Sequence, residues 1–191
     1  IDVKVHHNVL RRTHGGLRFK LPRIGPVFIY RNVLEDGSPF NFWFSMDDSP
    51  AEGYVYHNTV VGGTTALQYA GFAKTDRGIG APKWHFYNNL FVAKGFFHSR
   101  EEGVPVNFTA DHNVVVGGRR PWPADSGKEP NSRYLEEAGP LDEKRRPLKG
   151  SPAVDAGRDL SKAFRGGPLP GTPDERVTGA APDAGAFELE E

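Results

Sequence analysis

The sequence predicts an all-β chain whose short strands stack as successive coils of a solenoid, and three observations lead there. The 191 residues include 23 Gly and 16 Pro among many β-branched and aromatic residues, a composition of short strands and frequent turns. An asparagine interrupts an alternating apolar stretch at a recurring interval. A second apolar run follows most interruptions by about nine residues.

Aligned on the interruption, the repeats read VKVHHNVL (3–10), VFIYRNVL (27–34), GYVYHNTV (53–60), WHFYNNLF (84–91) and FTADHNVV (108–115). Asn8, Asn32, Asn58, Asn89 and Asn113 follow one another at 24, 26, 31 and 24 residues, a spacing typical of stacked supersecondary units. Upstream of each asparagine, apolar positions such as Val5, Ile29, Val55 and Phe86 alternate with polar or amphipathic ones, the period of a strand. The later runs are GLRF (16–19), FNFWF (40–44), ALQY (66–69) and the less regular GFFH (95–98). Two strands flanking a bend and a third after a turn make one coil, and about five coils result. Parallel stacking would set equivalent residues about 4.8 Å apart.

The asparagines explain their own recurrence. Asparagine tolerates the left-handed backbone at a sharp bend. Its amide also donates and accepts, so amides in successive layers satisfy one another as a ladder. Five surface asparagines in the turns of a sandwich are the alternative, but that arrangement does not require apolar residues in register on both sides.

Residues 119–147 lose the repeat and become rich in proline and charge. They are expected to form a long loop crossing the stack, with a short helical turn near Tyr134 to Ala138. The closing stretch then carries LKGSPAVDAG (148–157) and PDAGAFE (182–188), expected to fold over the last coil as a loop-rich C-terminal cap. Such a cover is needed because a bare final coil exposes apolar interior and strand edges. The division is therefore coils over 1–118 and a closing segment over 119–191, packed on the same domain. Asp155 and Asp183 each precede a small residue and a glycine, which suits a carboxylate accepting backbone amides in a turn rather than a catalytic pair.

Composition also excludes classes. Acidic and basic residues balance at 24 each, so no global field recruits nucleic acid or a membrane surface. There is no cysteine, hence no disulfide or thiolate metal site. No apolar run approaches the roughly 20 residues of a membrane helix. Because Ile1 to Val5 already alternates, the chain is expected to begin inside a strand, as a processed product or fragment would. Preceding coils or a second chain would then cover Ile1 to Leu10.

These repeats resemble the right-handed parallel β-helix of the pectate-lyase-like superfamily, whose coils often read apolar, x, apolar, x, Asn, Asn, apolar, apolar. The resemblance covers about residues 1–118. The two closing motifs resemble the SPAxDAG and DxGAxE elements that end many bacterial secreted β-helix proteins, which implies a secreted or periplasmic bacterial protein. Superfamily resemblance implies a polysaccharide as partner and two carbohydrate chemistries, while a noncatalytic glycan-binding or adhesion scaffold, or a C-terminal fragment without catalytic coils, stays open because the fold does not determine activity.

The candidate site follows from alternation. With Leu17 and Phe19 inward, Arg18 and Lys20 point outward; the next layers place Trp43 and Gln68 in the same exterior row, continued by His98 or Arg100. RRTHGGLRFKLPR (11–23) adds Arg11, Arg12, His14 and Arg23. Arginines suit bidentate recognition of uronate carboxylates, and Trp43 offers a face for a sugar ring. The other reading of this stretch is a solvated basic edge, or internal pairing with Glu35, Asp36, Asp47 and Asp48. Lyases of this fold imply Lys20 or His14 as base and Arg18 as carboxylate partner, with cations, often calcium, stabilising developing charge. GGLRFK is also similar to the Gly-x-Arg-Ile-Lys segment of polygalacturonase-like hydrolases, yet the carboxylates which that family places on earlier coils are missing here. No metal site is expected. His7, His57 and His112 skip layers where Arg31 and Asn88 stand, so a zinc centre is disfavoured, and Asp47 and Asp48 read as a turn although their oxygens suit calcium.

Overall fold

A computed structural model describes residues 2–20, 25–37, 42–45, 52–63, 67–70, 83–93, 98–99, 108–118, 129–137, 139–172 and 177–189. All regular elements among them are strands: Val3–His6 (β1), Val9–Arg11 (β2), Leu17–Lys20 (β3), Val27–Tyr30 (β4), Val33–Glu35 (β5), Phe42–Ser45 (β6), Glu52–Tyr56 (β7) and Thr59–Val61 (β8). Leu67–Ala70 (β9), Lys83–Tyr87 (β10), Leu90–Val92 (β11), His98–Ser99 (β12), Phe108–Asp111 (β13), Val114–Val116 (β14) and Arg133–Leu135 (β15) complete them.

The strands form three parallel sheets, and each repeat contributes one strand to each of the first two. The first runs β1-β4-β7-β10-β13, the second β15-β14-β11-β8-β5-β2 and the third β12-β9-β6-β3. Neighbours within a sheet therefore come from successive repeats, as expected. Register follows the asparagine alignment, with Val5 opposite Ile29, Ile29 opposite Val55, Val55 opposite Phe86 and Phe86 opposite Ala110. From Ile29 onward this row is fully buried. Two rows away, Gly53 sits against the Trp84 ring: a Cβ there would lie 2.2 Å from it, so only glycine leaves room for the buried indole.

The ladder connects all five asparagines. The side-chain amide of Asn8 donates to Asn32 Oδ1 at 2.9 Å, and the pattern continues from Asn32 to Asn58 at 2.9 Å, Asn58 to Asn89 at 3.0 Å and Asn89 to Asn113 at 2.9 Å. Each acceptor oxygen also takes the backbone N–H of the asparagine that donates to it. Asn32 to Asn113 are all fully buried, so these bonds satisfy groups that water cannot reach.

The left-handed residue, however, is the one before each asparagine. His7, Arg31, His57, Asn88 and His112 have φ between 50° and 55°, while none of the ladder asparagines has positive φ. The physical reason is a division of labour, because the bend at the preceding residue frees the asparagine side chain to bridge layers. A left-handed non-glycine residue costs about 1 kcal/mol, an amount that two or three buried amide bonds per layer offset.

The later part of the chain departs from expectation in two ways. Arg133–Leu135 pairs in parallel with β14 and adds a sixth strand to the second sheet, where a loop and a helical turn near Tyr134 were expected. Ser132 ends the ladder, its Oγ accepting the Asn113 N–H at 3.1 Å. Pairing wins over local helical preference because the edge of β14 offers unpaired backbone groups.

The closing stretch also reaches well beyond the last repeat, lying along the outside of the first two sheets. Ala153, Ala156 and Ala184 pack on Leu90, Val114 and Val116 of the second sheet. Leu160 and Leu169 pack with Phe28, Tyr30, Tyr54 and Tyr56 on the first, and Phe164 stands edge-on to Phe28 and Tyr54. Aromatic residues fill that outer face, with Tyr30 and Tyr56 stacked at 5.1 Å, so it needs an apolar cover as much as the ends do. The segment is pinned by backbone bonds from Gly185 to Asn88 O at 2.9 Å and from Ala186 to Thr59 Oγ1 at 2.9 Å.

Candidate functional site

The third sheet carries most of the residues singled out from sequence. Arg18 lies opposite Trp43, Trp43 opposite Gln68 and Gln68 opposite His98, so one register row joins four successive layers. Three steps of about 4.8 Å give a row roughly 14 Å long. Lys20 ends β3 in register with Ser45 and, beyond it, Ala70.

His14 is exposed and is followed by two left-handed glycines, Gly15 and Gly16 with φ 78° and 53°, before β3 begins. Arg23, Arg100, Asp47 and Asp48 lie outside the described residues. The structure thus brings Arg18, Trp43, Gln68 and His98 into one row, with Lys20 two positions from Arg18.

Part of the basic stretch in the first repeat is internally paired. Arg11 Nε lies 3.1 Å from Glu35 Oε2, and Arg145 Nε lies 3.5 Å from Glu35 Oε1. Arg11 therefore follows the internal-pairing reading. Arg145 and its neighbour Glu143 were not singled out from sequence, since no local pattern ties the 141–147 turn to a corner more than a hundred positions earlier.

The chain matches no family model, and no curated protein matches it.

The histidines do not converge. His57 is buried beneath the closing segment, within 3.1 Å of the Asn88 amide, and held by the backbone of Asp183 and Gly185. Burial, reinforced by Arg31, pushes its pKa down to about 3, so it is neutral and structural. His112 lies 3.0 Å from Asp111. Among the described residues no three His, Asp or Glu side chains are placed to hold a metal ion.

Both closing aspartates accept backbone amides. Asp183 Oδ1 takes the Asp155 N–H at 2.8 Å and Oδ2 that of Leu189 at 2.7 Å, while Asp155 Oδ1 takes those of Ala180 and Ala181 at 2.8 and 3.0 Å. With Asp183 fully buried, the pair stitches the two closing motifs together rather than forming an acid and base. Desolvation nevertheless holds the Asp183 carboxyl above its usual range.

Proposed function

We propose that this chain is a right-handed parallel β-helix of the pectate-lyase-like kind, secreted or periplasmic in a bacterium, that processes an anionic polysaccharide on its third sheet. The observation that carries the reading is the register row Arg18, Trp43, Gln68, His98, whose even steps suit an extended polymer and whose residue types suit a uronate. Parallel in-register sheets joined by a continuous amide ladder support the architecture.

The reaction class proposed is β-elimination. Lys20 or His14 takes the proton beside the uronate carboxylate, that C–H pair becomes the new C=C bond, and the glycosidic C–O bond breaks as the leaving oxygen gains a proton. Arg18 pairs with the carboxylate and stabilises the negative charge that builds on it. Lysine ordinarily titrates near 10.4, so Arg18 and Arg23 would serve a second purpose by favouring its neutral form. Arg23, Trp43, Gln68, His98 and Arg100 hold the polymer.

The test is incubation with alginate, pectate and glycosaminoglycans, with and without calcium, while absorbance of unsaturated ends is followed. Turnover that falls at least about a hundredfold in Lys20→Ala or His14→Ala, and in Arg18→Ala, supports the reading. New reducing ends without unsaturation would move the assignment to hydrolysis, and binding without turnover to a glycan-binding scaffold.

A further inference from the structure

We propose that a charged cleft at the far end of the second sheet's first two strands binds an uncharged, hydroxyl-rich ligand, a saccharide unit. The cleft has a volume of about 490 Å3 and is lined by Arg11, Arg12, Glu35, Asp36, Glu143 and Arg145. Successive repeats supply four of these: Arg11 and Glu35 are in register at the ends of β2 and β5, and the left-handed corner residues Arg12 and Asp36 follow them with φ 52° and 53°. The remaining wall is a tight turn in which Leu141 bridges Pro147. Asp142 braces it by accepting the N–H groups of Lys144 and Arg146 at 2.8 Å, and Arg145 adopts φ 66°.

Glu35 organises the cleft. Only 9% exposed, it meets Arg11 through Oε2 and Arg145 through Oε1, while Oε1 accepts no hydrogen bond and Arg145 Nε donates none. Both guanidiniums meet the carboxylate through Nε, which leaves their terminal nitrogens uncommitted among the described residues. Arg12, Asp36 and Glu143 likewise make no side-chain hydrogen bond or ion pair among those residues. Room for Asp36 depends on Gly62 in the next layer, where a Cβ would lie 2.1 Å from Asp36 Oδ1.

The lining contains three guanidiniums and three carboxylates, a net charge of zero. A balanced site gains little from drawing in a lone anion or cation, since each would meet like charges across the cleft. Interleaved donors and acceptors instead complement hydroxyl groups, each of which both donates and accepts. The cleft shares no residue with the register row Arg18, Trp43, Gln68 and His98.

The test follows arginine side-chain Nε–H signals by NMR while neutral tetrasaccharides of glucose, xylose or mannose are added, with tetragalacturonate as the anionic comparator. The expected result is movement of the Arg11 and Arg145 signals with at least one neutral sugar, and an affinity unchanged when salt rises from about 0.02 to about 0.5 M, because an uncharged ligand is not screened. Arg12→Gln and Asp36→Asn, the latter compatible with a left-handed backbone, should each weaken binding about tenfold without lowering the melting temperature, whereas Arg18→Ala should leave it intact. Silent arginine signals with every neutral sugar, preferred binding of tetragalacturonate that salt abolishes, full affinity in both cleft variants, or loss in Arg18→Ala would each overturn the proposal.

Discussion

Replacing His57 by asparagine should reduce the fold's sensitivity to mild acid, to which His7 and His85, also held below the ordinary histidine range by burial, contribute in the same sense. In the folded chain burial holds the imidazole pKa at about 3, against 6.5 for the free side chain. Above the unfolded value both states are neutral and the residue contributes no pH dependence. As pH falls below 6.5 the unfolded chain takes up a proton that the folded chain refuses, so stability is lost through the window down to about 3. The loss approaches tenfold in the folding equilibrium constant per pH unit, or about 3 kcal/mol between pH of about 7.5 and 4.5. Asp183 acts oppositely, because its raised pKa makes the folded state bind a proton first, which stabilises it on acidification. The informative quantity is therefore the difference between wild type and variant. Asparagine suits the site, since Asn88 occupies the equivalent corner one layer along with φ 54°. Urea unfolding at about four pH values across this window, for both proteins, gives the two slopes. Parallel slopes would refute the argument that His57 is buried and neutral beneath the closing segment.

Asn58→Ala should cost about 3–6 kcal/mol in denaturant unfolding, because it strands the N–H groups of Asn32 and the carbonyls of Ile29 and Tyr56 in a site without water. Leu160→Ala should cost about 2–4 kcal/mol and speed proteolysis within the closing segment, since Leu160 is 2% exposed on the aromatic outer face. Gly53→Ala should destabilise by about 1–3 kcal/mol, measured by thermal unfolding, as the new methyl group meets the Trp84 ring. Asp155→Ala should cost about 1–2 kcal/mol by loosening the closing motifs, seen as faster exchange of the Ala180 and Ala181 amides.

The repeat was legible because its signal is local and recurs. Two-residue alternation and the asparagine spacing fixed which positions pair, so the ladder and the row from Arg18 to His98 lie in the expected registers. What escaped was long-range or subtle. The left-handed position sits one residue earlier than expected, because the bend and the amide bridge compete for the same residue and the chain assigns them to neighbours. Arg133–Leu135 has its asparagine, Asn131, one position too early, and Ser132 takes the ladder place with a shorter polar group. The side-on course of the closing segment had only a faint signal, namely the aromatic character of Tyr30, Tyr54 and Tyr56 at outward positions. The Arg145 wall of the cleft had none, since its contact with Glu35 depends on where a distant turn comes to rest.

The most direct measurement of the central claim is a proton NMR map of the asparagine side-chain amides. An unbroken chain of contacts from Asn8 through Asn32, Asn58 and Asn89 to Asn113, with slow solvent exchange at the interior amides, is the result expected from bonds that span 24 to 31 residues of sequence. Amides that exchange as fast as those of a free peptide, and share no contacts with one another, would contradict it.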